Sequence, residues 1–223
     1  MVNIIHVLFP MLAYVVGAVP AVYFLGRWQG IDLKKVGSRN VGVTNLLEHG
    51  GFAIGVAGIA SDFMKGLAPP AIALWIGLGT TTAALSGVAS VAGQMWPVFL
   101  GFKGGRGNLT ACAVMLVIAP AVLTICAAPI LLGVALSGVQ RRLQRGWPDI
   151  LGGALGVFFG VLVGVIGVWM IPYPPEVRWS VSVLGLLLLL RRVTAELSLD
   201  LHYTGRERWV IHCTRLLLDR ARA

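Results

Sequence analysis

The sequence predicts an all-α polytopic membrane protein with about seven transmembrane helices, its amino terminus outside and its carboxyl terminus in the cytoplasm. The first observation is composition: hydrophobic residues make up 57% of the 223 residues and charged residues only 12%, whereas soluble domains are about 25% charged. The second is charge placement, since the lysines and arginines fall almost entirely into clusters between apolar runs. Such clusters are typical of the cytoplasmic ends of spans. We therefore expect a single integral membrane domain over residues 1–223.

Four basic clusters determine the number of crossings. They lie at Arg27–Arg39, at Lys103–Arg106, at Arg141–Arg145 and from Arg191 onward. If every cluster is cytoplasmic, each stretch between two clusters crosses the membrane an even number of times. The predicted spans are a retained first span at Ile4–Leu25, a hairpin of Phe52–Leu78 and Thr81–Leu100, two crossings that meet near Pro120, and Ile150–Ile171 and Val177–Leu190 separated by the prolines of 172–175.

Glycines and cysteines in the apolar runs are interpreted as packing residues. Gly156 and Gly160 belong to a series of glycines spaced three or four apart, which predicts close helix contacts. Cys112, Cys126 and Cys213 have no metal-ligand spacing. No metal site is predicted from them.

The polar stretch Gly37–Asn45 lies between two apolar segments and has the composition of an anion-binding loop. Gly37 and Gly42 free the backbone to turn and to approach a ligand closely. The polar side chains of the stretch are Ser38, Asn40, Thr44 and Asn45, which are neutral donors, and Arg39, which supplies a charge. The alternative is an ordinary connector rich in turn residues.

A charged pair is predicted inside the span that begins at Phe52. Asp62 and Lys65 are three residues apart, on one helical face, one or two turns from the inner boundary. Charged residues at that depth are costly and usually face the bundle interior or a wet cavity. The pair is either self-contained or orients a loop or ligand, and Gly66 beside it permits close backbone approach.

A second polar island, Lys103-Gly104-Gly105-Arg106-Gly107, follows one span and precedes another. Flexible backbone donors with two cations, Lys103 and Arg106, just before a helix amino terminus suit a phosphate or carboxylate. An ordinary cytoplasmic turn has a similar composition. The island lacks the spacing of a nucleotide-binding phosphate loop, so we predict no nucleotide cofactor.

Together these islands resemble the bacterial membrane glycerol-3-phosphate acyltransferases that use acyl phosphate as donor. The matching residues are Gly17-Ala18-Val19-Pro20, Tyr23, Leu25, Gly37-Ser38, Asn40, Gly42, Thr44-Asn45, Asp62, Lys65, Gly66, Pro97-Val98-Phe99, Phe102-Lys103-Gly104-Gly105 and Gly107. The resemblance implies seven spans, a cytoplasm-facing site without metal or other cofactor, and location in the plasma membrane of a bacterium. It implies acyl phosphate and a small phosphorylated acceptor as substrates and membrane lipids as surroundings, with no nucleic acid partner.

The resemblance also implies roles for individual residues. The catalytic residues would be Ser38, Asn40 and Lys103. Substrate-binding positions would be Gly37, Gly42, Thr44, Asn45, Gly104, Gly105, Arg106, Arg208, His212 and Arg215, with Asp62, Lys65 and Gly66 in support. The composition of the loop adds Arg39 to the substrate-binding positions. An acyl phosphate is already activated, so the main tasks are positioning, neutralising the leaving phosphate and excluding water. We expect the substrate phosphate to help take the acceptor proton; the alternative is Ser38 as a covalent nucleophile.

Several positions depart from the family pattern. Arg39 stands where the family has glycine, Glu48 where it has arginine, and Gln94 where it has histidine. Arg106 replaces a lysine and keeps its charge, and in the tail Trp209 replaces a histidine. Glu48 would repel a phosphorylated acceptor unless it points elsewhere or Arg39 compensates.

These departures leave alternatives open. The chain is predicted to make lysophosphatidic acid and phosphate from acyl phosphate and glycerol 3-phosphate in phospholipid synthesis. The first alternatives are an acyltransferase of the same fold that uses another acceptor, and a catalytically impaired relative. From another class, a small transporter or flippase for an anionic or lipid solute would use the charged pair on its pathway. The basic tail, residues 191–223, either closes over the site or lies on the inner leaflet.

Overall fold

The computed structural model describes residues 3–143 and 153–194, with the side chains of 137–143 and 153–154 left aside. Every regular element in these ranges is helical. The helices are α1 (Ile5–Ala18), α2 (Ala21–Trp28), α3 (Val43–Gly50), α4 (Phe52–Trp75), α5 (Gly79–Met95), a 3₁₀ turn (Val98–Leu100), α6 (Asn108–Ile118), α7 (Pro120–Leu143), α8 (Gly153–Met170) and α9 (Pro175–Thr194).

Seven of these helices, α1 and α4 to α9, occupy the seven stretches predicted as spans. The predicted turns are also present, because α7 begins at Pro120 and residues 171–174, with Pro172 and Pro174, separate α8 from α9. By length and hydropathy, Ile5–Trp28 and Gly79–Leu100 are each long enough to cross a membrane. The described segments Asn108–Ile118, Pro120–Leu136 and Leu155–Met170 are shorter apolar helices.

The first predicted span is not one continuous helix. Helix α1 ends at Ala18 and α2 begins at Ala21, because Pro20 lacks an N–H donor and disfavours helical geometry at the residue before it. Val19 accordingly has an extended backbone, with ψ 115°. The prediction of a single run over Ile4–Leu25 is therefore corrected to two helices joined at Val19-Pro20.

Helices α1 and α5 lie side by side and run in the same direction. Near their starts, His6 Nδ1 and Thr82 Oγ1 are 2.7 Å apart. Near their ends, the Tyr14 hydroxyl donates to the Trp96 carbonyl at 2.8 Å. A Cβ at Gly93 would overlap the Tyr14 carbonyl oxygen. Glycine at this position therefore lets the two backbones touch, as in small-residue interfaces of membrane helices.

Helix α4 packs against α5 and α6 through backbone groups as well as side chains. Pro69 has no N–H to donate to the Lys65 carbonyl four residues earlier, and the Ser90 hydroxyl of α5 donates to that carbonyl at 2.6 Å. A Cβ at Gly66 would overlap the Thr110 carbonyl of α6. The interior proline and the glycine thus both depend on neighbouring helices.

The described residues fall into two compact units, 3–120 with Pro174–Leu184, and 121–143 and 153–173 with 185–194. In the described part of the second unit, α8 lies close to α7. A Cβ at Gly156 would be 2.7 Å from the Pro129 carbonyl, and one at Gly160 would be 3.1 Å from the Cys126 carbonyl. The close packing predicted for these two glycines is confirmed.

Replacing Gly93 by alanine should lower the free energy of unfolding by about 1–3 kcal/mol, because the added methyl forces α1 and α5 apart. The measurement is the thermal midpoint of the purified protein in detergent. Gly167→Ala is the matched control, since a Cβ there meets nothing closer than 3.8 Å. Equal midpoints for the two variants would contradict the proposed close contact.

Candidate active site

The stretch between α2 and α3 is held in place by a small apolar cluster. Val22 of α2, Leu33 of the stretch itself and Leu46 of α3 are each at most 1% exposed. Asp32 orders the start of the stretch by accepting from the Lys34 N–H at 3.1 Å, and its carboxylate lies 3.8 Å from Arg27. The apolar cluster, the hydrogen bond from Lys34 and the nearby charge of Arg27 thus stabilise the backbone that leads into the polar loop Gly37–Asn45.

Asn45 holds the polar loop together. Its side chain is 2% exposed, and its Nδ2 group donates to the carbonyls of Leu33, Val36 and Asn40 at 3.0–3.1 Å. A buried amide bonded to three separate carbonyls closes the loop into one shape. In this geometry the Nδ2 group is engaged by the loop and braces it, whereas the Oδ1 atom is buried without a hydrogen-bond partner among the described residues.

Two residues of the polar loop have left-handed backbones. Gly37 has φ 53°, and a Cβ there would overlap Asn45 Oδ1 and the His49 ring. Arg39 has φ 55°, which costs a side-chain-bearing residue about 1–2 kcal/mol. A glycine would adopt this conformation without that cost. This chain retains the turn there while exposing a cation.

The second polar loop, Lys103–Gly107, folds back onto the end of α5. The N–H of Gly104 donates to the Met95 carbonyl at 3.2 Å, and that of Gly105 to the Gln94 carbonyl at 3.1 Å. A Cβ at Gly104 would overlap the Gln94 carbonyl. The N–H groups of both glycines therefore bond to the end of α5. The lack of a side chain lets the loop backbone lie against the helix, where both glycines line a small cavity.

Lys103 is presented at the surface by this fold. Phe102 before it has φ 62°, and the described residues contain only one other non-glycine residue with positive φ, Arg39. Lys103 itself is exposed, and within the described ranges it has no hydrogen bond or ion pair. Unusual backbone conformations of this kind cluster at functional sites. Each of the two loops thus places a left-handed residue at or beside an exposed cation.

The two loops touch each other. A Cβ at Gly105 would lie 2.9 Å from the Val41 carbonyl, so only glycine allows this approach. Val41 is two residues after Arg39, and Gly105 is two residues after Lys103. The contact borders a small cavity of about 10 Å³, which holds roughly one water molecule. Its walls are Ala18, Pro20, Val22, Val41, Lys65, Gln94, Pro97, Leu100, Gly104 and Gly105.

Each loop leads directly into a helix. Gly42 precedes α3 and Gly107 precedes α6, and neither helix has a side-chain cap. The first N–H groups of a helix have no partner within it, and they carry a partial positive charge. Ser38 and Thr44 are exposed near the start of α3, and Asn40 is partly exposed. The arrangement offers hydroxyl, amide and backbone donors beside two cations.

Beneath this surface, Asp62, Lys65 and Gln94 form a closed ring of hydrogen bonds. Lys65 Nζ donates to Asp62 Oδ1 at 3.1 Å and to Gln94 Oε1 at 2.9 Å. Gln94 Nε2 donates to Asp62 Oδ2 at 2.8 Å. All three residues are at most 7% exposed. The charged pair is thus completed by a neutral amide from α5, so its burial is explained without a transported ion.

The structure brings most of the predicted site residues into two adjoining loops, with Asp62, Lys65 and Gly66 on the helices beneath. Arg208, His212 and Arg215 lie outside the described residues. Within the described ranges, no group of three or more His, Cys, Asp or Glu residues is arranged to hold a metal. Gln94 was not among the predicted site residues. In the sequence, Gln94 was noted only because it stands where the resembled family has histidine, next to Gly93.

Comparison with known proteins identifies the family. A family model described as glycerol-3-phosphate acyltransferase matches residues 7–196. The chain belongs to the glycerol-3-phosphate acyltransferase family. The match includes both polar loops, α1 from its third residue and α2 to α9, and it ends before Arg208.

Individual members of the glycerol-3-phosphate acyltransferase family are similar over most of the chain. Glycerol-3-phosphate acyltransferase 4 of Dehalococcoides mccartyi strain CBDB1 is 38% identical over 82% of this chain and 75% of its own length. Glycerol-3-phosphate acyltransferase 5 of D. mccartyi strain 195 is 32% identical over 98% and 90%. The crystal structure of PlsY (YgiH), an integral membrane glycerol 3-phosphate acyltransferase in its glycerol 3-phosphate form, aligns with a TM-score of 0.70 and 28% identity. That alignment covers 92% of this chain and 98% of PlsY.

Gly37→Ala should disrupt the polar loop and reduce acyl transfer at least about 10-fold, because the methyl would displace Asn45 from its three carbonyls. Gly30→Ala is the control, since Gly30 also has a positive φ, 73°, but a Cβ there meets nothing within 4 Å. The measurement is turnover of both purified variants. If Gly30→Ala were as impaired as Gly37→Ala, backbone strain and not the Asn45 contact would be responsible.

Proposed function

We propose that this family member transfers a fatty acyl group from acyl phosphate to glycerol 3-phosphate, giving lysophosphatidic acid and phosphate in phospholipid synthesis. The observation that carries the proposal is the contact of the two polar loops at Val41 and Gly105, which joins two exposed cations and two helix starts in one surface. Family membership supports the reaction and an acyl donor with glycerol 3-phosphate as substrates.

The reaction needs no covalent enzyme intermediate. The acceptor hydroxyl oxygen attacks the acyl carbonyl carbon, a new ester bond forms, and the bond from that carbon to the phosphate oxygen breaks. The phosphate departs with the electron pair, and the hydroxyl proton passes to a phosphate oxygen. Because the donor is an activated mixed anhydride, the protein's task is to position both substrates and stabilise the leaving phosphate.

The loops supply suitable groups for that task. Lys103 and Arg39 would contribute charge to the leaving phosphate, while Ser38 and Asn40 would contribute hydrogen bonds. The first turns of α3, at Thr44, and of α6 would add backbone donors and the helix dipoles. Val22 and Leu100, which line the small cavity beside the loop contact, would make this part of the site apolar.

The proposed location is the plasma membrane of a bacterium, with seven spans and the site facing the cytoplasm. The parallel arrangement of α1 and α5 supports this topology. Two parallel spans cross the membrane in the same direction, so the chain must cross back once between them, as is predicted for α4. The Gly37–Asn45 loop comes after α1 and α2, the Lys103–Gly107 loop comes after α5, and each loop contains at least one cation and no acidic residue. Arg208, His212 and Arg215 of the tail would then lie on the same side and contribute to acceptor binding.

The acceptor is the part of the proposal that depends on the exposed acidic residue Glu48. It lies on α3, three residues after Asn45. A carboxylate facing a phosphorylated acceptor would weaken its binding. This observation keeps a second candidate open, an acyltransferase of the same fold with a less anionic acceptor. The assay is phosphate release from long-chain acyl phosphate by the protein in detergent, with and without glycerol 3-phosphate.

Lys103→Ala should reduce turnover at least about 100-fold, because it removes a preorganised charge from the leaving phosphate. The variant should remain assembled, since within the described ranges Lys103 has no bonded partner. Lys35→Ala is the matched control: its side chain is 81% exposed, and it lies 4.0 Å from Asp32. Normal turnover in Lys103→Ala, checked by phosphate release, would remove Lys103 from the mechanism.

Glu48→Arg should lower the KM for glycerol 3-phosphate by about 3-fold to 10-fold, because the repulsive charge becomes attractive. Glu48→Gln removes the negative charge without adding a positive one, so it should give a KM between those of the parent protein and Glu48→Arg. The measurement is initial rate against acceptor concentration at fixed donor. An unchanged or raised KM in Glu48→Arg would argue that position 48 does not face the acceptor.

A further inference from the structure

We propose that Gln94 is a positioning residue that couples the buried charged pair to the Lys103–Gly107 loop. This inference rests on the proposed function, because the loop is assigned there to the leaving phosphate. Gln94 acts at two levels. Its side chain completes the ring with Asp62 and Lys65, while its main-chain carbonyl accepts the N–H of Gly105 at 3.1 Å. One residue therefore connects α4, α5 and the loop.

The geometry makes the loop sensitive to small movements of Gln94. A Cβ at Gly104 would overlap the Gln94 carbonyl, and a Cβ at Gly105 would lie 3.3 Å from Gln94 Nε2. The loop backbone is therefore in contact with both the main chain and the side chain of this residue. Lys103 directly precedes these glycines, so rotation or withdrawal of the end of α5 would move the exposed ammonium group.

The chemistry of the ring restricts which side chains can occupy position 94. Lys65 has only donors and the Asp62 carboxylate has only acceptors, so the third member must accept from one and donate to the other. A glutamine amide does both. A carboxylate keeps the acceptor but cannot donate, and a thioether of similar length cannot donate and accepts only weakly. A neutral imidazole carries one donor and one acceptor nitrogen, so histidine also meets the requirement.

The test compares Gln94→Met, Gln94→Glu and Gln94→His with the parent protein in detergent. Hydrogen exchange of peptides covering residues 101–107 reports loop order, and phosphate release gives kcat and KM. We expect Met and Glu to raise loop exchange about 10-fold and to lower kcat about 10-fold to 100-fold. The KM for acceptor should stay within about 3-fold, because the loop is assigned to the leaving phosphate and not to acceptor binding. Histidine should restore both exchange and kcat to within about 3-fold of the parent.

Ser86→Ala is the matched control, because Ser86 is buried on the same helix two turns earlier and bonds only within it, to the Thr82 carbonyl at 2.6 Å. It should change neither loop exchange nor kcat. Parent-like loop exchange in Gln94→Met would overturn the proposal. So would an increase spread evenly over α4 and α5, which is the behaviour of a merely structural residue.

Two further outcomes are distinguishable. If Gln94→Met fails to assemble, Gln94→His still decides, since loop disorder or lost turnover in that variant would overturn the donor-and-acceptor requirement. If the parent protein shows no acceptor-dependent phosphate release, the proposed function fails. The exchange comparison then still decides whether Gln94 positions the loop.

Discussion

Satisfying polar groups among apolar helices is the constraint on which this structure depends. A carboxylate and an ammonium group buried side by side are tolerated only when their remaining hydrogen-bonding capacity is met. Asp62 and Lys65 are hydrogen-bonded to each other, and Gln94 accepts a further hydrogen bond from Lys65 and donates one to Asp62. The same constraint applies to the backbone, where Pro69 leaves the Lys65 carbonyl without a helical donor and Ser90 supplies one. Helices α4 and α5 are thus joined by bonds that fix their rotation.

The fixed rotation of α5 matters because the second polar loop, Lys103–Gly107, is bonded to the end of this helix. The carbonyls of Met95 and Gln94 accept hydrogen bonds from the N–H groups of Gly104 and Gly105, so the position of the loop depends on the orientation of α5. The absence of side chains at these glycines allows contact with α5 on one side and with Val41 on the other. Helix packing and site geometry are therefore consequences of the same close approaches between backbones.

The membrane fold class was accessible from the sequence because hydrophobic runs and basic clusters report directly on burial in lipid. The helix stretches followed from the same pattern, including α7 at Pro120. The break between α1 and α2 was missed, since hydropathy is continuous across Val19-Pro20 and only proline chemistry marks it. The ranges 3–143 and 153–194 do not reach the tail residues Arg208, His212 and Arg215, so their roles stay predictions.

The candidate site was less accessible from sequence than the fold. Composition identified both loops, but it could not distinguish a donor that faces a ligand from one that braces the loop. Asn45 and the amides of Gly104 and Gly105 are of the second kind, because their partners are carbonyls distant in sequence. Gln94 was noted only as a departure from a family pattern. Its place in the ring depends on the relative rotation of α4 and α5, which no local pattern specifies.

The left-handed conformation of Arg39 shows how a departure from pattern can be accommodated. A glycine would adopt φ 55° without strain, and arginine does so at a cost of about 1–2 kcal/mol. The surrounding structure can hold such a residue because Asn45 closes the loop through three carbonyls and the Val22, Leu33 and Leu46 cluster supports it. What the chain obtains is an exposed cation two residues from the contact between the loops. Arg39 places positive charge beside that contact, and the exposed Glu48 places negative charge on α3. This distribution of charge would favour the side of the site proposed for the leaving phosphate.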